Sequence, residues 1–320
     1  MSENLTSKAS KEIASFKIIP ERNCSKQTFR NIKKYDVRIT DRVLHSQIIK
    51  KRYVSLWSLS FKADSVDYAL VRDLKRALKL TKKTQKIFLY FGRGWNTPSL
   101  NQINEDFKSL TLLQSITLRF SARLYISENA FDHMSSCLKE LKLLKDLSFY
   151  FHECETLTDI ELRSLSKCFK RCLLLQSIEL GFMTCLGITN IGLFHIGKSL
   201  KRLTTLRNAN LYFYHCSNIE NEGFQALATS LKGLVSLHCL SLTVDFCDEI
   251  TEKVVDSLCQ TIEKLVCLRK FYFSFLNCNK ISLSGEQKLL ELLKKRFSFQ
   301  KSSNNFRFRL RRFMKDWDQS

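Results

Sequence analysis

The sequence predicts an α/β solenoid, in which one strand and one helix form a unit that is repeated and stacked many times. The first observation is a column of five cysteines, each 31 residues after the one before it. The second is a set of apolar columns that keep the same step of 31 residues. A fixed step shared by many columns is typical of stacked repeats. The cysteine column comprises Cys154, Cys185, Cys216, Cys247 and Cys278.

Each repeat contains the pattern of a strand followed by the pattern of a helix. In the first half apolar residues alternate with polar ones, as at Leu147 and Phe149, and a period of two indicates a strand with one buried face. In the second half apolar residues recur at helical spacing, as at Leu162, Leu165 and Phe169. Charged residues fill the remaining positions, which is typical of an amphipathic helix with a solvated outer side.

The stretch LLQSIELGFMTCLGITNIGLFHIGKSLKRL at residues 174–203 resembles the leucine-rich-repeat family. Its C-x-x-I-T-x-x-G-L run is similar to the cysteine-containing class, and its long helix is similar to the ribonuclease-inhibitor-like class. The resemblance covers residues 53–297 and implies a horseshoe with a concave parallel β-sheet and convex helices. The step of 31 residues is longer than the roughly 20–29 residues of most such repeats.

Three regions follow from the extent of the repeat pattern. Residues 53–297 form a repeat array of about eight units, more than the three or so that a solenoid needs. Residues 1–52 are a basic N-terminal segment that is a possible helical cap for the first strand. Residues 298–320 are a basic C-terminal tail.

The tail is predicted to contain a short amphipathic helix at residues 306–317. Four apolar residues lie on one face if this segment is helical, and arginines occupy much of the rest. We expect this helix to cap the open end of the array, with contact to a membrane or an acidic partner as the alternative. The four apolar residues are Phe306, Leu310, Phe313 and Trp317.

The chain is strongly basic, with 52 Lys and Arg against 31 Asp and Glu and a net charge of +21. Such a charge indicates acidic partners, but a compositional bias toward Lys and Phe explains it equally well. No apolar run of about 18 residues predicts a membrane span, and the first residues do not resemble a secretion signal. We therefore expect a cytoplasmic or nuclear protein whose cysteines are reduced.

The cysteine column is interpreted as structural, with each thiol buried where a strand ends. Equivalent residues on parallel strands lie about 4.8 Å apart in a line, whereas zinc needs four ligands that converge on one point. The sequence also lacks a phosphate-binding loop and other recognised catalytic motifs. We therefore predict no metal, no cofactor and no enzymatic activity.

The concave face of the sheet is the predicted partner-binding surface. Residues that alternate with the buried columns point to this face, and several of them are tyrosines, which are enriched at protein interfaces. The competing interpretation is that aromatic residues simply favour strands. The candidate residues are Tyr150, His152, Met183, Tyr212, Tyr214, Asp245 and Tyr272.

A protein–protein interaction scaffold is thus the predicted function, and two alternatives remain open. The first is an F-box-like substrate receptor of a ubiquitin ligase, which would bind an adaptor through residues 1–50. The second is a nucleic-acid binder whose affinity would depend steeply on salt. The predicted concave strands are not strongly basic, so binding to nucleic acid is the less favoured of these partners.

Overall fold

The computed structural model describes residues 35–39, 56–65, 68–80, 82–121, 126–298 and 307–311. Ten strands in this part of the chain form one sheet. The strands are β1 (Tyr35–Ile39), β2 (Leu56–Ser65), β3 (Lys86–Arg93), β4 (Ser115–Ser121), β5 (Asp146–His152), β6 (Ser177–Met183), β7 (Asn208–Tyr214), β8 (Cys239–Thr243), β9 (Lys270–Ser274) and β10 (Arg307–Arg311).

Eight helices alternate with the strands from β2 onward. The helices are α1 (Tyr68–Leu80), α2 (Thr97–Phe107), α3 (Glu128–Leu138), α4 (Asp159–Arg171), α5 (Asn190–Leu200), α6 (Asn221–Leu231), α7 (Glu252–Lys264) and α8 (Leu283–Ser298). No described helix has both the length and the apolar character that crossing a bilayer requires.

Every strand pairs in parallel with the next strand in the sequence, so spatial order and chain order coincide. A parallel neighbour requires a crossover connection, which here is a helix. The register keeps the repeat step, since Leu147 of β5 pairs with Ile178 of β6 and Ile178 pairs with Ala209 of β7. The predicted α/β repeat solenoid is therefore confirmed, with eight strand–helix units from β2–α1 to β9–α8.

The core lies between the sheet and the helices. Along β4, β5 and β7 every second residue is buried, as the alternation in the sequence predicts. One buried column is aromatic, and its neighbouring ring centroids lie 5.0–5.6 Å apart. Each such contact contributes roughly 0.5–1.5 kcal/mol beyond the area it buries. The column consists of Phe91, Phe120, Phe151, Phe182 and Phe213.

A second set of contacts joins the start of each helix to the next repeat. The carboxylate of Asp159 accepts hydrogen bonds from the backbone N–H groups of Thr189 and Gly192, both at 2.9 Å. The amide oxygen of Asn190 accepts in the same way from Glu220 and Gly223 one repeat later. These side chains satisfy N–H groups that a helix start leaves without partners, and they tie adjacent repeats together.

Both ends of the sheet differ from the predicted helical caps. Residues 307–311 form β10, which pairs in parallel with β9, so the amphipathic helix predicted for 306–317 is wrong over this stretch. Residues 35–39 form β1, which pairs with β2. An edge strand exposes unpaired N–H and C=O groups, and here the flanking segments provide partners for those groups. The remaining residues of the predicted caps lie outside the described part of the chain.

Candidate functional site

The sheet has one face that turns away from the helices, which we call the open sheet face. It is formed by the strand positions that alternate with the buried columns, and most of these side chains are half-buried. The predicted site residues Tyr150, Met183, Tyr212 and Tyr272 all belong to this group. The face corresponds to the concave face that the sequence predicts.

Two tyrosines flank one glutamate at the centre of the open sheet face. In the register, Gly181 of β6 lies between Tyr150 of β5 and Tyr212 of β7. Both tyrosine side chains interact electrostatically with Glu179, and Ser241 also acts on Tyr212. Burial, together with the nearby Glu179 carboxylate, raises the pKa of both tyrosines. The hydroxyls therefore stay protonated near neutral pH.

An arginine extends this group toward the N-terminal end of the sheet. The guanidinium carbon of Arg119 lies 4.4 Å from the ring centroid of Tyr150 and 5.4 Å from that of Phe88. A cation over an aromatic face within about 6 Å is attracted by the ring. The Nε atom of Arg119 is buried and has no hydrogen-bond partner among the described residues. The guanidinium thus lies between the rings of Phe88 and Tyr150, which fix its position.

We call Arg119, Tyr150, Glu179 and Tyr212 the central cluster. Arg119 and Glu179 lie on the same face as the tyrosines, but they are not among the site residues that the sequence predicts. The tyrosines on this face predict only the half of the cluster that consists of Tyr150 and Tyr212. Arg119 pairs directly with Tyr150, and Glu179 lies two residues before the glycine that pairs with both tyrosines. Charged residues at such directly opposite and diagonal positions are the sequence signal for the other half of the cluster.

The remaining predicted site residues lie near the C-terminal ends of the strands. The ring of Tyr214 lies 4.9 Å from that of Phe246, and burial raises the pKa of Tyr214. Nε2 of His152 lies 3.6 Å from Oε1 of Glu153. Met183 stands between His152 and Tyr214 in the register. These side chains form one edge of the open sheet face.

Asp245 does not fit the prediction of an exposed residue on this face. Only 6% of Asp245 is exposed. Its Oδ1 accepts hydrogen bonds from Oγ of Ser274 at 2.7 Å and from the backbone N–H of Leu276 at 2.8 Å. Strand β8 ends at Thr243, so the alternation that predicted exposure no longer applies at Asp245. The carboxylate instead binds the end of the neighbouring repeat.

A column of left-handed residues follows the strand ends, and the sequence did not predict it. These five non-glycine residues have φ between 52° and 57°, a region that costs most side chains about 1–2 kcal/mol. Each directly precedes a cysteine of the 31-residue column. In four of them the backbone N–H donates to a carbonyl of the next repeat at 2.7–2.9 Å. The five are Glu153, Thr184, His215, Phe246 and Asn277.

The five cysteines of the column neighbour one another at the strand ends, and all are buried. Each thiol donates to the carbonyl oxygen 34 residues earlier, as Cys185 does to Phe151 at 3.7 Å and Cys216 does to Phe182 at 3.6 Å. Burial raises the pKa of Cys216 to about 12. A protonated, buried thiol is a poor nucleophile and a poor metal ligand.

One other group of side chains has the composition of a metal site. Ligand atoms of Glu105, His133 and Cys137 lie within 4.8 Å of one another on α2 and α3. The Glu105 carboxylate already accepts from Lys108 Nζ at 2.7 Å and contacts His133 Nε2 at 2.5 Å. Burial raises the pKa of Cys137. The Glu105 carboxylate is therefore already engaged by Lys108 and His133, while Nδ1 of His133 is buried without a hydrogen-bond partner among the described residues.

The chain matches no family model and no curated protein. Among solved structures it is similar to a chain of the yeast complex of Rad7 and Elc1, with a TM-score of 0.54 and 18% sequence identity. That likeness covers 80% of this chain but only 56% of the other. A second likeness, to the tropomodulin C-terminal domain of Caenorhabditis elegans, has a TM-score of 0.38 and 12% identity and covers 53% of this chain and 92% of that chain.

Two findings agree on the fold. Eight parallel strands alternate with helices at a fixed step, and most of the chain superposes on the Rad7–Elc1 match. The protein has a leucine-rich-repeat-like fold. As expected of such a fold, the open sheet face of this leucine-rich-repeat-like array is a continuous surface built from equivalent positions of successive repeats.

Proposed function

We propose that the protein is a non-enzymatic scaffold that binds another protein on the open sheet face. The observation that carries this proposal is the central cluster, in which Arg119 contacts Tyr150 and Glu179 interacts electrostatically with Tyr150 and Tyr212 on four consecutive strands. Tyrosine and arginine are enriched among the residues that dominate binding energy at protein interfaces.

The energetic argument is one of preorganisation. Ordering a rotamer-rich side chain on binding costs roughly 0.5–1.5 kcal/mol. In the central cluster the contact of Arg119 with Tyr150 and the partial burial of Tyr150 and Tyr212 already restrict the side chains. A partner that docks on this face therefore meets groups that lose little further freedom. Tyr214, Met183, His152 and Tyr272 extend the same proposed surface.

The likeness to a solved complex supports an interaction role. The similar chain comes from a complex of two proteins, Rad7 and Elc1. At 18% identity and 56% coverage of that chain, the likeness concerns the fold, and the partner is not transferred. We also propose that the protein is located in the cytoplasm or nucleus. Its repeats are proposed to belong to the cysteine-containing or ribonuclease-inhibitor-like subclass.

The proposal is tested by changing Tyr150, Tyr212 and Tyr214 together to Ala. The tagged variant and the wild type are used for affinity purification from cells that express the protein, followed by quantitative mass spectrometry. We expect a partner recovered with the wild type to fall at least about tenfold with the variant, since removing contact anchors of this kind costs about 1.4 kcal/mol or more. Circular dichroism checks that both proteins are folded.

A matched control removes three apolar side chains from the helix side. Ile160, Ile191 and Phe194 are 58%, 60% and 51% exposed on α4 and α5. Changing these three to Ala alters a similar amount of apolar surface away from the open sheet face. The control should recover the partner as well as the wild type does. Equal recovery with the tyrosine variant would reject the open sheet face as the binding surface.

The adaptor-binding alternative concerns residues 1–50, of which the structure describes only 35–39. In this alternative, adaptor binding requires residues 1–50 and does not require the central cluster. If the tyrosine variant keeps a partner that deletion of residues 1–34 removes, the F-box-like alternative is favoured over the open sheet face.

A further inference from the structure

Exposed aliphatic side chains recur along one edge of the array. This edge is formed by the turns that lead from each helix to the next strand, and we call it the helix-to-strand edge. A single exposed leucine is ordinary on a protein surface. Here six aliphatic residues with exposed fractions of 41–65% lie in five such turns. The six are Leu112, Leu143, Leu173, Leu174, Val235 and Val266.

Backbone hydrogen bonds hold these turns side by side. The N–H of Gln176 donates to the carbonyl oxygen of Lys145, and the N–H of Arg207 donates to that of Gln176, both at 2.8 Å. The same bond joins His238 to Arg207 and Arg269 to His238. Each exposed aliphatic residue comes two or three positions before this ladder. The aliphatic residues of successive repeats therefore follow one another in a row, as parallel strands do.

Charge is segregated between the helix-to-strand edge and the opposite edge. Five consecutive helix-to-strand turns contain eight Lys and Arg and one Glu, whereas the five strand-to-helix loops between them contain six Asp and Glu and one Lys. A compositional bias toward Lys would enrich both edges, so it does not explain this segregation. The basic turns are residues 139–145, 172–176, 201–207, 232–238 and 265–269, and the acidic loops are residues 153–158, 184–189, 215–220, 244–251 and 275–282.

The helix dipole explains only some of the cations on this edge. A helix C-terminus favours cations within its last turn, where Arg171 of α4 and Lys264 of α7 lie. Lys145 and Arg207 come seven residues after the ends of α3 and α5, beyond the reach of the dipole, and both are exposed. The dipole also gives no reason for exposed aliphatic residues between the cations. Folding alone thus does not account for the composition of this edge.

The combination of aliphatic and cationic side chains indicates the kind of partner. At the surface of a bilayer, aliphatic side chains enter the boundary of the acyl chains while cations meet anionic head groups. Nucleic acid would use the cations only, and the aromatic residues on which bases stack do not occur in the five basic turns. We propose that the helix-to-strand edge binds the surface of membranes that contain anionic lipids. This edge is separate from the open sheet face, so the proposal does not depend on partner binding there.

Co-sedimentation of the full chain with vesicles tests the role of the cations. Vesicles of phosphatidylcholine and phosphatidylserine are compared with vesicles of phosphatidylcholine alone. The charge variant is Lys145→Gln with Arg207→Gln, and its control is Arg163→Gln with Lys253→Gln, at exposed positions in the first halves of α4 and α7. We expect the wild type and the control to bind phosphatidylserine vesicles alike. The charge variant should bind them at least about tenfold more weakly, since each cation near an anionic surface adds to the affinity.

A second variant tests whether aliphatic side chains enter the bilayer. It is Leu173→Ser with Leu174→Ser, at residues that are 51% and 61% exposed. Its control is Ile160→Ser with Ile191→Ser, at residues that are 58% and 60% exposed near the starts of α4 and α5. The leucine variant should bind phosphatidylserine vesicles at least about tenfold more weakly than the wild type, because it loses apolar surface that insertion removes from water. The isoleucine control should bind as the wild type does, and circular dichroism establishes that all the variants are folded.

Three results would overturn the proposal. The first is a wild type that does not bind phosphatidylserine vesicles or that binds phosphatidylcholine vesicles equally well. The second is an equal loss of binding in the variants and in their controls. The third is full binding by the leucine variant, which would reduce the edge to a general attraction for anions. If a DNA duplex also binds more tightly than the vesicles, and does so without need of Leu173 and Leu174, nucleic-acid binding replaces the proposal.

Discussion

The ring of Tyr150 lies over Gly181 on the neighbouring strand, so closely that a Cβ atom on Gly181 would come within 2.7 Å of Cδ1 of Tyr150. The absence of a side chain at position 181 lets the tyrosine lie across the sheet. In that position Tyr150 contacts Arg119 on one strand and interacts electrostatically with Glu179 on the other. A glycine inside a strand often marks such a close approach.

Gly181→Ala is therefore expected to destabilise the protein by about 1–2 kcal/mol, because the added methyl group displaces the ring of Tyr150. Urea denaturation measures the change in the free energy of unfolding. In a Tyr150→Ala background the clash is gone, and the same Gly181→Ala change should be neutral or stabilise by up to about 1 kcal/mol. An identical cost in both backgrounds would show that the two residues are not coupled.

The left-handed column gives a second prediction. Thr184 is β-branched and has φ of 53°, so Thr184→Gly should relieve about 1–2 kcal/mol of backbone strain. The greater freedom of glycine in the unfolded chain offsets about 0.5–1 kcal/mol of this gain. We expect a net stabilisation of about 0.5–1 kcal/mol in urea denaturation.

Asn277→Gly is the matched control for Thr184→Gly, because Asn277 has φ of 55° and asparagine tolerates this region. It should change stability by less than about 0.5 kcal/mol. If Thr184→Gly destabilises the protein by more than Asn277→Gly does, the strain argument fails.

The contacts between helix starts give a third prediction. Asp159 accepts three hydrogen bonds from the next repeat, two from Thr189 and one from Gly192. Asp159→Ala leaves these donors without partners and should cost about 1–3 kcal/mol. Glu155→Ala, at an exposed acidic residue in the preceding turn, should stay within about 0.5 kcal/mol of the wild type. Similar losses for the two variants in thermal or urea denaturation would contradict this role.

The buried thiols give a prediction about alkaline pH. Burial raises the pKa of Cys216 and of Cys278 from 9.0 to about 12. The folded state thus keeps protons that the unfolded chain loses above pH 9, so stability is fully present below pH 9 and declines as pH rises from 9 toward 12. Each thiol should remove about 1.4 kcal/mol of unfolding free energy per pH unit in that range.

Urea denaturation at pH 8, 9 and 10 measures this loss. Cys216→Ala should reduce the loss of unfolding free energy between pH 8 and pH 10 by about 1.4 kcal/mol in total, because the thiol of the unfolded chain is only half ionised at pH 9. A loss that is the same in the variant and the wild type would mean that Cys216 keeps no proton on folding.

Much of the fold could be predicted because it depends on which side chains are apolar. The step of 31 residues, the alternation at Leu147 and Phe149 and the helical spacing at Leu162 and Leu165 all reflect burial, and burial selects apolar residues. The register then follows, because a shift of one residue would move every apolar side chain to the open sheet face.

The remaining features depend on backbone geometry or on cross-strand contacts. Glu153, Thr184 and His215 share a left-handed conformation but no chemical property, so their residue types do not indicate this conformation. Asp245 is buried because β8 ends two residues before it, and strand ends are poorly defined by alternation alone. The short tail segment at 307–311 fits a helical spacing, but an isolated helix of this length is only marginally stable in water. Pairing with β9 instead gives its backbone groups hydrogen-bond partners.

The central claim is that a partner docks on the open sheet face, and site-specific photo-crosslinking tests it most directly. A photoreactive phenylalanine derivative is introduced in place of Tyr272, beside the central cluster, or in place of Phe194 on the helix side. The account predicts that illumination links the partner to position 272 and not to position 194. Crosslinks from position 194 alone, with none from position 272, would contradict it.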